Sequence, residues 1–161
     1  MKRTGRLVFV SAYRLVGHNG GIISSRAVYT ALREAYEGQI VLISSEEDSP
    51  ALSDPNRERF VGVSPSSLFR KGTSLLTCRA FDRMSPTVDR WLVENLRSDD
   101  LLFLNGALIG RFARTARELG VKEVVLLHEN VERDYFLDNY PPLLGFWWAK
   151  IAEKNQVAGF Q

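Results

Sequence analysis

LVFVSAYRLVGHNGGIISSRAVYTALREAYEGQIVLI, the sequence of residues 7–43, predicts a strand, a glycine-rich turn, a helix and a second strand. The first strand covers residues 7–11 and the second covers residues 39–43. The helix between them extends to about Glu37 and carries apolar residues at helical spacing, namely Ile22, Ile23, Ala27, Val28, Ala31, Leu32 and Ala35. Two strands joined by a helix in this way form a right-handed crossover and lie parallel in one sheet.

The same alternation continues along the chain. Further strands are predicted at residues 59–63, 101–104 and 123–127, after a polar loop at 44–56. Helices are predicted from Ser85, over 107–119 with Gly120 as C-cap, over 131–139 and from 142 to about 158, and 66–80 is weakly helical. The strands are apolar without alternation, which is typical of a sheet covered on both faces. We predict an α/β fold, a single Rossmann-like domain with a doubly wound parallel sheet.

Composition fits one globular domain, since the chain has 161 residues, of which 45% are hydrophobic and 25% charged. Basic and acidic residues are nearly equal in number, giving a formal net charge of +2, so the composition does not predict nucleic-acid binding and we expect no nucleic-acid partner. The single cysteine, Cys78, excludes a disulfide framework and a cysteine-clustered metal site. No Asp-x-Asp motif occurs, so we expect neither a metal nor a cofactor.

Location and surface charge follow from the distribution of apolar and charged residues. The first apolar run, residues 7–10, is too short for a signal peptide, and no run approaches a transmembrane helix, so we expect a cytoplasmic protein. Basic residues outnumber acidic ones in residues 1–37 and 57–97. These blocks are either solvated helix faces or one surface that faces anionic lipid or phosphate.

Ligands of doubly wound sheets bind beyond the carboxyl ends of the strands, where the strand order reverses. The loops after the first, fourth and fifth strands, residues 13–21, 105–108 and 128–134, are therefore the places to search. Both histidines of the chain, His18 and His128, lie in these loops.

The loop Gly17-His18-Asn19-Gly20-Gly21 matches neither the dinucleotide fingerprint nor the Walker A loop. Gly20 and Gly21 nevertheless stand at a helix start, where a phosphate-bearing ligand can approach the backbone N–H groups and the positive end of the helix dipole. The alternative is that the glycine pair only permits a tight turn.

His128 follows the apolar run 124–127 and precedes Glu129, Asn130 and Glu132. At the carboxyl end of a strand, an imidazole can donate a hydrogen bond or exchange a proton near neutral pH. The alternative is a structural histidine. The two glutamates either orient the imidazole or form the acidic first turn of the next helix.

Taken together, these motifs resemble the N-terminal domain of GT-B-fold retaining glycosyltransferases, which build bacterial polysaccharides. The resemblance rests on the strand at residues 7–10 with the loop 18–21 and its helix, on the run 126–132, and on the aromatic stretch 146–150 with Glu153. The order of these features spans nearly the whole chain.

In that family two Rossmann-like domains face each other, the N-terminal one holding the acceptor and the C-terminal one the nucleotide-sugar donor. The resemblance implies that Gly20 and Gly21 approach the donor diphosphate and that His128 is the catalytic residue beside the transferred sugar. Supporting candidates are His18, Asn19, Glu129, Asn130 and Glu132. The family's donor domain, with its paired glutamates, does not occur in these 161 residues, so we expect this half alone not to turn over.

The resemblance also implies partners: a nucleotide-sugar donor and a saccharide or lipid-linked acceptor. Residues 68–71 and 143–148 bring apolar or aromatic groups close to cations. Such surfaces meet the inner face of the membrane, pack internally, or support a homodimer. The alternative function is a non-enzymatic Rossmann-like module that binds a nucleotide or a sugar phosphate.

Overall fold

A computed structural model describes residues 5–18, 20–51, 54–63, 85–106, 109–127, 137–138 and 141–160. Its strands are β1 (Arg6–Ser11), β2 (Gln39–Ser45), β3 (Glu58–Val63), β4 (Leu101–Asn105) and β5 (Glu123–Leu127). Its helices are α1 (Gly20–Ala35), α2 (Ser85–Asn95), α3 (Arg111–Glu118) and α4 (Pro142–Phe160), and a 3₁₀ helix covers Glu46–Ala51.

The five described strands form one parallel sheet in the order β3-β2-β1-β4-β5. This is the order of a doubly wound Rossmann-like sheet, in which the chain winds outward from β1 in both directions. The predicted α/β class and parallel sheet are confirmed.

The central strands β2, β1 and β4 are buried on both faces of the sheet, and successive side chains of each strand point to opposite faces. Val8 and Val10 of β1 face a core that includes residues of α2 and α3. Leu7 and Phe9 face the other core, where Tyr29 of α1 covers them. The Phe9 ring lies 5.4 Å from that of Phe103 and 5.3 Å from that of Tyr29, measured between centroids. Because a strand such as β1 contributes side chains to both cores, nearly all of its residues must be apolar.

The structure differs from the prediction at the start of one helix and within the predicted polar loop. Helix α3 begins at Arg111 and not at residue 107, because Gly106 has a φ of +116° and Ile109 N–H closes a turn onto the Gly106 carbonyl over 3.4 Å. The polar loop at 44–56 contains the 3₁₀ helix. Gly120 ends the helix as predicted, although the C-cap residue is Leu119: Gly120 follows it with a φ of +81°, and its N–H bonds to the Arg117 carbonyl over 2.9 Å.

Arg6 and Asp100 join β1 to the chain before β4 at the amino edge of the sheet. Arg6 Nε donates to Asp100 Oδ1 over 2.9 Å and Arg6 Nη2 to Oδ2 over 2.5 Å. Arg57 closes the end of α1 by donating to the carbonyls of Arg33 and Tyr36 over 3.2 and 2.8 Å. Cations are favoured at this end of a helix by its dipole.

Tyr29 links α1 to β3 inside the protein, because its hydroxyl donates to the buried carboxylate of Glu58 over 3.3 Å. Burial, followed by the negative charge of Glu58, raises the pKa of Tyr29 well above its ordinary value. The side chain of Arg33 lies 3.9 Å from the same carboxylate.

Within the described residues, no helix combines the length and the apolar character needed to cross a bilayer. The weakly helical prediction for 66–80 lies outside the described residues, as does most of the predicted helix at 131–139.

Candidate functional site

The carboxyl ends of β1 and β4 lie side by side where the strand order reverses. On one side of this point the chain continues to β2 and β3, and on the other side to β5. In sheets of this kind the loops that leave the ends of these two strands run in opposite directions. The crevice between the two loops is the usual ligand site. Ser11 and Asn105, the last residues of the two strands, are register partners here.

A group of hydrogen bonds joins these two residues. Asn105 Nδ2 donates to the Ser11 hydroxyl over 3.1 Å. That hydroxyl donates to the Tyr13 carbonyl over 2.7 Å and accepts the Tyr13 N–H over 3.3 Å. Ser11 and Asn105 are both fully buried. The Ser11 hydroxyl therefore holds the start of the β1–α1 loop and is not an exposed nucleophile.

The second polar atom of Asn105, Oδ1, is buried and accepts no hydrogen bond from the described residues. Leaving a buried acceptor unused costs about 1–3 kcal/mol. Such atoms are rare in folded proteins, and each requires an explanation such as a bound water or ligand. The sequence could have pointed to Asn105, because it is a polar residue at the end of an otherwise apolar strand. The sequence analysis placed it only in a loop.

Gly106 allows the two strand ends to approach closely. A Cβ on Gly106 would lie 2.9 Å from Ala12 Cβ and 3.0 Å from Tyr13 Cε2. The positive φ of Gly106 is also one that side-chain-bearing residues rarely adopt. Its N–H donates to the Leu127 carbonyl over 3.0 Å, so this one residue connects the ends of β1, β4 and β5. Sequence reasoning did not single out Gly106.

The β1–α1 loop brings three of the predicted residues to the same edge. His18 is exposed, Gly20 is the exposed first residue of α1, and Gly21 is half-buried. A Cβ on Gly20 would meet nothing within 4 Å. Packing against the described residues therefore does not require a glycine there.

The start of α1 is electrostatically suited to an anion. Its first turn contains no acidic residue. The amino end of a helix carries a partial positive charge, equivalent to about half an elementary charge. Arg14 in the preceding loop forms an exposed ion pair with Glu47. A phosphate group in front of Gly20 would meet backbone donors without a carboxylate from that turn opposing it.

The remaining predicted residues, Asn19 and the catalytic candidate His128 with its neighbours Glu129, Asn130 and Glu132, lie outside the described residues. Leu127, which directly precedes His128 in the chain, pairs in register with Asn105 at the end of β5.

No known protein family, curated protein or solved structure matches this chain. The resemblance to glycosyltransferases therefore rests on the quoted sequence motifs alone. In the described part of the chain, no group of three or more His, Cys, Asp or Glu residues has a metal-binding arrangement.

A cavity of about 460 Å³ lies at the opposite, amino edge of the sheet, where Arg6, Gln39, Arg57 and Asp100 contribute to its lining. Its size suits a small ligand. The charged groups of Arg6 and Asp100 bind each other, and Arg57 is engaged by helix carbonyls. These side chains serve the fold, so the carboxyl edge remains the better candidate site.

Proposed function

We propose that this chain is the acceptor-side half of a glycosyltransferase, which moves a sugar from a nucleotide-diphosphate sugar to a saccharide or lipid-linked acceptor. The reaction would take place at the crevice beyond the carboxyl ends of β1 and β4. The observation that carries the proposal is the start of α1, where a Cβ on Gly20 would meet no described residue within 4 Å and the first turn lacks an acid.

Each predicted residue has a role in this proposal. The N–H groups at Gly20 and Gly21 would stabilise the negative charge of the donor diphosphate as the bond to the sugar breaks. His128 would lie beside the transferred sugar and donate a hydrogen bond to it. His18, Asn19, Glu129, Asn130 and Glu132 would support these groups. Cations from the donor-binding half would complete the neutralisation of the diphosphate.

Gly20→Asp tests the proposal. An aspartate at a helix start stabilises the helix by about 0.3–1 kcal/mol, and a Cβ on Gly20 would meet no described residue within 4 Å. The variant should therefore fold, yet its carboxylate would occupy and repel the proposed diphosphate position. We expect the affinity for UDP and GDP, measured by isothermal titration calorimetry, to fall at least about tenfold, which is 1.4 kcal/mol.

Gln39→Glu is the matched control, because it makes the same change in net charge at the amino edge, where Gln39 is exposed and lines the cavity. It should leave the affinity unchanged. Loss of affinity in Gln39→Glu but not in Gly20→Asp would locate the anion at the amino edge and contradict the proposal.

The alternative, a non-enzymatic module for a nucleotide or sugar phosphate, also has support. The described part of the site offers backbone N–H groups and the buried, unused amide oxygen of Asn105, which are groups that could bind a ligand but do not transfer protons. Saccharide binding separates the two functions. An acceptor-side half should bind oligosaccharides on a glycan array, and saturating saccharide should shift the amide resonances of residues 13–22. Nucleotide binding without saccharide binding would favour the module.

We also propose that α4 contacts the membrane surface at which lipid-linked acceptors are held. Its first turns expose Leu143 (75%), Phe146 (51%) and Trp147 (39%), and Lys150 and Lys154 follow on the exposed side. Apolar and aromatic groups next to lysines favour the interface of an anionic bilayer.

A further inference from the structure

The buried carboxylate of Asp48 is attached to the loop that carries the candidate site. Asp48 belongs to the 3₁₀ helix that follows β2 and is fully buried. Its Oδ1 accepts the backbone N–H groups of Leu15 and Val16 over 2.9 and 3.0 Å. Its Oδ2 accepts the hydroxyl proton of Ser44, at the end of β2.

A carboxylate is costly to remove from water unless hydrogen bonds replace its hydration. Here three donors do so, and the two on Oδ1 are backbone groups separated from Asp48 by more than 30 residues in sequence. Hydrogen bonds to a charged acceptor are roughly twice as strong as neutral ones. The carboxylate therefore determines the path of the loop backbone rather than the position of one side chain.

The path continues directly into the candidate site. Leu15 is fully buried and anchors its side of the loop. Gly17 follows with a φ of +142°, and a Cβ on it would lie 2.7 Å from Ile22 Cδ1, so the loop turns tightly against α1. His18 and Gly20 come next. The loop is thus held by Asp48 before the turn and by Ile22 after it.

We infer that Asp48 is the positioning residue of this site: by binding the N–H groups of Leu15 and Val16, it holds the β1–α1 loop so that the start of α1 faces the ligand. That the ligand is a nucleoside diphosphate rests on the proposed function. Asp48 itself is buried under the loop and acts only through it.

Amide hydrogen exchange of the full chain, followed by NMR, tests the inference directly. Asp48→Ala removes both acceptors, and exchange at Leu15 and Val16 should rise about tenfold or more. Asp48→Asn keeps an uncharged oxygen for these two groups, and its amide can donate to the Ser44 hydroxyl, so the rise should be about threefold. Ser49→Ala, in the same 3₁₀ helix but exposed, is the control and should leave both amides unchanged.

Amides of the central strands, such as those of Val8 and Leu102, should exchange as in the wild type in every folded variant. If Asp48→Ala does not fold, Asp48→Asn alone decides. Unchanged exchange at Leu15 and Val16 in a folded Asp48 variant would overturn the inference.

UDP affinity is measured on the same variants. The UDP affinity should fall most in Asp48→Ala and less in Asp48→Asn, in the order of their exchange rates, and should not fall in Ser49→Ala. A wild-type protein that binds no UDP would refute the proposed nucleotide ligand, while the exchange data would still decide the role of Asp48. Faster loop exchange together with unchanged UDP affinity would show that the loop does not position the site, and would overturn the inference.

Discussion

Asn105 Nδ2 donates a 3.1 Å hydrogen bond to the Ser11 hydroxyl, and this bond joins the ends of β1 and β4 at the switch point of the sheet. The two residues are 94 positions apart in sequence. The hydroxyl also binds the backbone of Tyr13, so the contact between the strands determines where the β1–α1 loop begins.

Ser11→Ala should destabilise the protein by about 1–3 kcal/mol, because it leaves the buried Asn105 amide without its acceptor. Urea denaturation measures the loss. Ser24→Ala, an exposed serine of α1, is the matched control and should change stability by less than about 0.5 kcal/mol. In a double-mutant cycle, Asn105→Ala should lower the free energy of unfolding less when Ser11→Ala is already present than when it is made alone. Fully additive costs would show that the two side chains do not interact.

Gly106→Ala should cost about 1–3 kcal/mol for the strained φ alone. The close contacts of the new Cβ should add to that cost. Gly120→Ala has a positive φ but no neighbour within 4 Å of the new Cβ, so its cost should be smaller. Gly20→Ala has neither and should be nearly neutral. Thermal denaturation of the three variants checks this order. A Gly106→Ala variant as stable as Gly20→Ala would contradict the tight closure described here.

Tyr29 should make stability fall at alkaline pH. Its pKa in the folded protein lies above the value of about 10 expected for the unfolded chain, mainly because it is buried and also because Glu58 is negative. Below pH 10 the phenol is protonated in both states, and its contribution is fully present. As the pH rises above 10 the unfolded state loses the proton first, so the contribution is progressively lost.

The measurement is urea denaturation from neutral pH to about pH 11. The wild type should lose stability steeply above pH 10, and Tyr29→Phe should lose less over the same interval because it cannot ionise there. The other tyrosines are common to both proteins and cancel in the comparison. Parallel curves for the two proteins would exclude the role given to Tyr29.

The exposed start of α4 should support binding to anionic vesicles. Changing Leu143 and Phe146 together to glutamate should abolish co-sedimentation with phosphatidylglycerol vesicles, because it replaces exposed apolar surface with negative charge. Val93→Glu, on the exposed face of α2, is the control and should retain binding. Sedimentation equilibrium is measured in parallel. If the wild type does not bind vesicles but forms a dimer, and the double variant is a monomer, this face of α4 serves self-association instead.

Much of the fold was predictable from local patterns. The apolar runs at β1, β2 and β4 predicted buried strands, because a strand covered on both faces has no polar positions. Helical spacing predicted α1, and Gly120 predicted the end of α3, since both signals come from neighbours in the chain. The position of Gly20 at a helix start also followed from the sequence.

Only the tertiary structure shows which distant residues meet at the carboxyl edge of the sheet. The pairing of Ser11 with Asn105 depends on β4 lying beside β1, and no local pattern encodes that register. Asp48 lies in what the sequence presented as a polar loop, and its role arises only when the 3₁₀ helix meets the loop after β1. Periodicity reports which face of an element is buried, whereas a buried hydrogen bond requires two distant groups to meet at about 3 Å.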